Sequence, residues 1–189
     1  MFDNRFDRFD DRCDRFDDRC DKFDCDRLEG IKDIQKGICK ILEGIKDIRE
    51  GLKCICKCHI REGIKAIKEG LCKIEKGLCD IIDGLKGIDD DFCGVKAIKK
   101  GICDIKKGIE CIRAGLNDLC RGRFCEGIEE IQKGLCKVED GLVDVIEGLK
   151  DIINEAEMRK KRKEEVLGEM ICEDFCGITS DDCCCDRSC

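Results

Sequence analysis

Proline, tryptophan and tyrosine are absent from this 189-residue chain, and Thr179, Ser180 and Ser188 are its only hydroxyl side chains. One histidine is present, His59, and every aromatic residue is Phe. So narrow an alphabet leaves few residue types from which to build a specific pocket. An excess of positive charge is also lacking. The formal net charge is -7, so no global positive field gathers phosphates, which excludes nucleic acid as the expected partner. No apolar run approaches the roughly 20 residues that span a bilayer. The start, Met1-Phe2-Asp3-Asn4-Arg5, alternates Phe with charge and has no apolar core of the secretory-signal kind. The expectation is a chain made in the cytosol, with no membrane span.

Cysteine is what the chain has in abundance, at 21 of 189 residues. That density ordinarily signals disulfides in an oxidising compartment, or bound metal. The count is odd, so one monomer cannot pair every thiol internally. A cytosolic origin and a cysteine-dense composition conflict, and any functional reading has to reconcile them.

Repetition organises the rest. From Gly30 a seven-residue unit recurs: Gly, Ile or Leu, two polar residues, Ile, two polar residues. It runs through Gly30, Gly37, Gly44 and Gly51, then Gly63 to Gly84, Gly94 to Gly115 and Gly127 to Gly148. With the residue after each Gly taken as position a, the apolar residues fall at a and d, as in Ile31, Ile34, Ile38 and Ile41. Spacings of three and four make one stripe along an α-helix, whereas a strand would need alternation. The gaps Gly51–Gly63, Gly84–Gly94 and Gly115–Gly127 are 12, 10 and 12 residues, so the stripe breaks phase three times. Helices are expected over 28–57, 61–88, 92–121 and 124–168, forming an all-α, antiparallel up-down bundle within one domain, 28–168. Gly30 and Gly94 are 64 residues apart, as are Gly63 and Gly127, Cys39 and Cys103, and Cys72 and Cys136. That marks a duplicated helical hairpin.

Glycine inside a helix costs roughly 1 kcal/mol relative to alanine. These glycines share position g beside the apolar seam, where a missing side chain lets a neighbouring backbone approach; drift in a low-complexity sequence is the plainer alternative. Residues 1–27 form a separate arm in which Phe2, Phe6, Phe9, Cys13, Phe16, Cys20 and Phe23 make a further helical stripe among Asp and Arg. Its Asp content disfavours helix, so the arm is expected to order on meeting a partner. Residues 169–189, with Cys183-Cys184-Cys185, are expected to be an irregular cross-linking tail.

Cys39, Cys72, Cys103 and Cys136 all stand at position b, which points away from the seam. Cross-linking between copies, by disulfide or metal, is the reading adopted; a bridge between adjacent helices and free thiols are the alternatives. Cys54, Cys56, Cys58 and His59 form the densest internal cluster, near which an up-down bundle would bring Cys120 and Cys125. Thiolates with one imidazole can hold zinc, but this cluster lacks the usual two-residue spacing, so zinc is a secondary expectation. No catalytic constellation emerges. Cys58 and His59 are adjacent and point apart, the acidic residues recur as solvated faces, and the glycines lie inside helices rather than in a phosphate loop. The basic run Arg159–Lys163 precedes Glu164 and Glu165 and reads as a solvated, salt-bridged face rather than an anion-binding patch.

The charged Phe/Asp/Arg arm and the terminal Cys183-Cys184-Cys185 cluster resemble the cysteine-rich self-assembling proteins of bacterial endospore outer layers, of the clostridial exosporium or coat type. The resemblance covers the arm and tail better than the helical middle. It implies assembly into a disulfide-fixed lattice or filament, with other copies and other cysteine-rich layer proteins as partners. It also implies synthesis in the mother cell followed by oxidation once that cell lyses, which removes the compartment conflict. On this reading the cross-linking residues are Cys13, Cys20, Cys25, Cys39, Cys72, Cys103, Cys136, Cys172, Cys176, Cys183, Cys184, Cys185 and Cys189, and no enzyme or cofactor is involved. The competing expectation is a thiol-rich zinc or copper store. A surface-active, lipid-binding helical repeat ranks last, because it leaves the cysteines unexplained.

Overall fold

Heptads of glycine and isoleucine fold here into four α-helices. The computed structural model describes the backbone of residues 7–177 and the side chains of residues 27–162. The helices are α1 Asp7–Cys56, α2 Ile60–Lys86, α3 Cys93–Cys120 and α4 Phe124–Gly177. Each phase break in the sequence becomes a connection, and the bundle is all-helical as its periodicity predicts. The ends of α2 and α3 fall within two residues of expectation. The outer two helices differ. α1 begins at Asp7 rather than 28, and α4 runs to Gly177 rather than 168. The boundary at residue 27 is therefore a change of composition and not of backbone, because Phe9, Phe16 and Phe23 keep the seven-residue phase that Gly30 continues.

The helices pair first as α1 with α2 and α3 with α4, along their shared length. Glycine sets the geometry. Gly30, Gly37, Gly44 and Gly51 lie opposite Gly84, Gly77, Gly70 and Gly63, and Gly94, Gly101, Gly108 and Gly115 lie opposite Gly148, Gly141, Gly134 and Gly127. A Cβ placed on Gly44 would stand 2.5 Å from the Gly70 carbonyl oxygen and 2.7 Å from Ile74 Cγ1. The hydrogen that replaces that Cβ points at the carbonyl, the arrangement of a weak C–H···O contact. Close approach, rather than sequence drift, thus accounts for the glycine column.

Against each glycine rests a d-position side chain of the partner helix. Ile34, Ile41, Ile48, Ile67, Ile74, Ile81, Ile98, Ile105, Ile112, Ile131, Val138, Val145 and Ile152 all have 0 % exposure. Position a makes the second layer, between the two hairpins, where Leu52 lies near Leu135 and Leu78 near Ile109. Two ion pairs flank that layer, Arg49–Glu139 at 2.7 Å and Arg113–Glu75 at 2.8 Å. A 64-residue shift turns one pair into the other, so the two hairpins are related by a pseudo-twofold axis.

The same symmetry exposes a local strain. α1 ends with the Cys58 N–H donating to the Ile55 carbonyl (2.9 Å) and the His59 N–H to the Cys54 carbonyl (3.0 Å). α3 ends identically, through Gly122 to Leu119 (3.1 Å) and Arg123 to Asp118 (2.9 Å). Both are Schellman turns, which require a left-handed residue. Gly122 takes φ 80° at no steric cost, whereas Cys58 takes φ 67° with a Cβ.

At the opposite end, Phe92 closes the bundle with 1 % exposure. The Arg159 and Arg27 guanidinium groups lie 4.3 Å and 5.0 Å from its ring centre. Arg27 also pairs with Asp89 at 3.4 Å. α3 has no capping side chain of its own at Phe92; instead the Cys93 N–H donates to Glu155 of α4 at 3.1 Å. That bond, with a second from Arg159 (2.6 Å), holds the Glu155 carboxyl below its ordinary value of 4.5. Glu155 stands at the position where the next α4 glycine would fall, so the zipper ends as the cap begins.

Three outcomes follow from this packing. Gly44→Ala should lower stability by roughly 1–3 kcal/mol by forcing the helices apart, although propensity alone would raise it by about 1 kcal/mol; urea unfolding under reducing conditions reads the sign. Cys58→Gly should raise stability by about 1 kcal/mol in the same assay. Glu155 binds its proton more weakly when folded, so its contribution is present above the unfolded pKa and lost as pH falls through the folded one. Thermal midpoints measured from pH 6 downward should therefore fall more steeply for the wild type than for Glu155→Gln, chiefly below pH 4.5.

Candidate cross-linking surface

Position b lies on the far side of each helix from the glycine column, so heptad phase alone decides where its side chains emerge. Cys39, Cys72, Cys103 and Cys136 all emerge exposed. Cys79 repeats the same position one heptad after Cys72 and is exposed as well. The four-fold pattern does not include it, because its counterpart in the second hairpin is Val143.

A second group of thiols gathers at the end bearing the α1–α2 and α3–α4 connections. Cys56, Cys58, Cys120 and Cys125 are exposed and Cys54 is half-buried. Cys56 and Cys120 are a repeat-related pair 64 residues apart. His59 is exposed too. Among the described residues no three His, Cys, Asp or Glu side chains converge as metal ligands would. Cys54 and Cys56 stand in the last turn of α1 and Cys58 and His59 in the connection that follows, and no three of them converge in this geometry. Cys93 is exposed at the first turn of α3.

Cys111 differs in its surroundings. It is half-buried, and Lys137 Nζ donates to its Sγ at 3.4 Å. The repeat supplies the comparison: 64 residues earlier, Lys73 pairs with Asp47 at 2.8 Å, and that hydrogen bond raises the Lys73 pKa. A thiol therefore occupies the place of a carboxylate beside a lysine. Alignment of the two halves was the signal that could have found it.

The basic run is partly committed. Arg159 bonds Glu155 and stacks on Phe92, which accords with a salt-bridged face. Of the cross-linking candidates, Cys13, Cys20, Cys25, Cys172 and Cys176 lie in the described helices without described side chains, and Cys183, Cys184, Cys185 and Cys189 lie outside the described residues. Among the described residues no helix is long and apolar enough to cross a membrane. Comparisons with family models, curated proteins and solved structures give no match.

Proposed function

We propose that this chain is a structural building block whose copies are joined through disulfides into a lattice or filament, and that it serves in the outer layer of a bacterial spore. One observation carries the reading. Of the twelve cysteines between residues 27 and 162, ten are exposed and none belongs to the aliphatic core. Cysteine is ordinarily among the most buried residue types and packs as a small hydrophobe. Here the core is complete without it, so packing does not explain why the thiols are there.

The scaffold favours links between molecules. Glycine contacts fix the helices at their closest approach, and the b-position thiols sit on outward faces along the body of the bundle. The chain's odd total of 21 cysteines leaves at least one without an internal partner. Each bond forms when two thiols give two protons and two electrons to dioxygen, yielding a disulfide and hydrogen peroxide. The location rests on the likeness of the arm and of Cys183-Cys184-Cys185 to the cysteine-rich spore-layer proteins. Other copies and other proteins of that layer are the partners this implies.

Air-oxidised protein on a non-reducing gel should form a ladder extending to material too large to enter, and dithiothreitol should collapse it to one band near 21.4 kDa. Replacing Cys39, Cys72, Cys103 and Cys136 by Ser should leave the helical spectrum unchanged and shorten the ladder. A single monomer band in both lanes would defeat the proposal. Several zinc or copper ions retained per chain after purification under reducing conditions would favour a metal store instead.

A further inference from the structure

The glycine column of α1 does not stop where the glycines stop. Counting back by sevens from Gly30 gives Phe23, Phe16 and Phe9, all within the unbroken helix Asp7–Cys56. The buried column Ile48, Ile41 and Ile34 continues back as Arg27, Cys20 and Cys13. Over the bundle, small residues stand at g and large ones at d; over residues 7–26 the sizes are exchanged. α2 covers only the later part of α1, because Gly84, two residues before α2 ends at Lys86, already lies opposite Gly30. About 20 residues of α1, some 30 Å at 1.5 Å per residue, therefore extend beyond the partner that covers the rest.

What can cover this segment is constrained by its charges. Phe9, Cys13, Phe16, Cys20 and Phe23 alternate spacings of four and three, the stripe of a two-stranded coiled coil. One flank of the stripe holds Arg12 and Arg19, each just before a cysteine. The other holds Asp10, Asp17 and Asp24, each just after a phenylalanine. In a parallel pair, each residue of the first flank meets the residue five positions later on the other strand, so Arg12 meets Asp17 and Arg19 meets Asp24, in both directions. An antiparallel pair would set Arg against Arg and Asp against Asp. The extension of α4 does not continue the bundle's stripe, since its apolar residues Val166, Leu167, Met170, Ile171 and Phe175 fall mostly outside the glycine and isoleucine columns and carry no alternation of Arg and Asp flanks. Its columns continue from Gly148 as Glu155, Arg162 and Glu169, and from Ile152 as Arg159, Val166 and Glu173.

We propose that residues 7–26 pair with the same segment of a second copy as a parallel, in-register coiled coil. Cys13 then lies across from the second copy's Cys13, and Cys20 from its Cys20. Each pair closes to a disulfide as two thiols pass two electrons and two protons to dioxygen, releasing hydrogen peroxide. This deepens the cross-linking reading by naming the partner segment and its register, and it rests on that reading only for the partner being another copy.

Trypsin separates the two thiols, since cleavage after Arg12, Arg15, Arg19 and Lys22 puts Cys13 and Cys20 on different peptides. Full-length protein labelled with nitrogen-15 is mixed with unlabelled protein under reducing conditions, oxidised in air, alkylated and digested. Mass spectrometry should find mixed-isotope links of Cys13 to Cys13 and of Cys20 to Cys20 as the main products of the arm. Mixed-isotope Cys13–Cys20 links in their place would mean antiparallel pairing and overturn the proposal, as would arm links that join only different cysteines and only within single-isotope molecules. A ladder on the gel without homotypic arm links defeats the arm pairing and leaves the building block standing. A dimer that carries those links and grows no further keeps the pairing and defeats the array.

Discussion

In each hairpin the carbonyl oxygen of a glycine on one helix lies against the Cα of a glycine on the other, four times along its length, and everything else in the bundle is spaced by that contact. The contact exists only because position g carries no side chain, and it recurs because the sequence returns to glycine every seventh residue. Helix propensity opposes it at each of these positions by roughly 1 kcal/mol. What offsets the loss is the d-position isoleucine of the partner helix, which reaches full burial over the glycine. A larger residue at g would separate the backbones and uncover that isoleucine. Glycine and isoleucine are therefore one device, in which neither makes sense as a helix residue without the other.

Placing cysteine on the outside is a consequence of the same phase. Once g and d are committed to the hairpin seam and a to the layer between hairpins, the outward positions are left for whatever the surface requires. Charged residues fill most of them, with cross-helix pairs such as Lys73–Asp47 at 2.8 Å, exposed and individually worth little. Cysteines fill several of the others. The 64-residue duplication makes their placement comparable between halves: Cys39 with Cys103, Cys72 with Cys136, Cys56 with Cys120. Where the halves disagree, as at Asp47 and Cys111 or Cys58 and Gly122, a thiol has replaced a residue that suits the local physics at least as well.

Much of this was legible in the sequence because period and phase are strong signals when a heptad is strict. Four helices, their order, the duplication and the outward b position all follow from counting. Three features did not. The start of α1 was obscured because aspartate-rich composition argues for a disordered arm, while the Phe column, in phase with Gly30, argues for one continuous helix. The strain at Cys58 is invisible until its turn is set beside that of Gly122. The cap on α3 needs Glu155, 62 residues away from Cys93 in the chain, whereas the local sequence points to Asp89, Asp90 and Asp91, which precede the N-cap Phe92 without capping the helix. Cys79 and Cys111 are inconspicuous for a simpler reason, since their counterparts in the other half are Val143 and Asp47.

The exchange of glycine for phenylalanine along one uninterrupted column divides α1 into two kinds of surface. Over the bundle, backbone contact demands a partner held in register, and a short connection supplies it: only three residues separate the end of α1 at Cys56 from the start of α2 at Ile60. No partner that had to be found by diffusion would need so intimate a fit. Phenylalanine and cysteine ask for less, because side chains can interlock at ordinary helix spacing, and the Arg and Asp flanks select orientation electrostatically before contact is made. A single helix can thus be closed against its own chain at one end and open to another chain at the other, with the change of side-chain size marking where the first role ends.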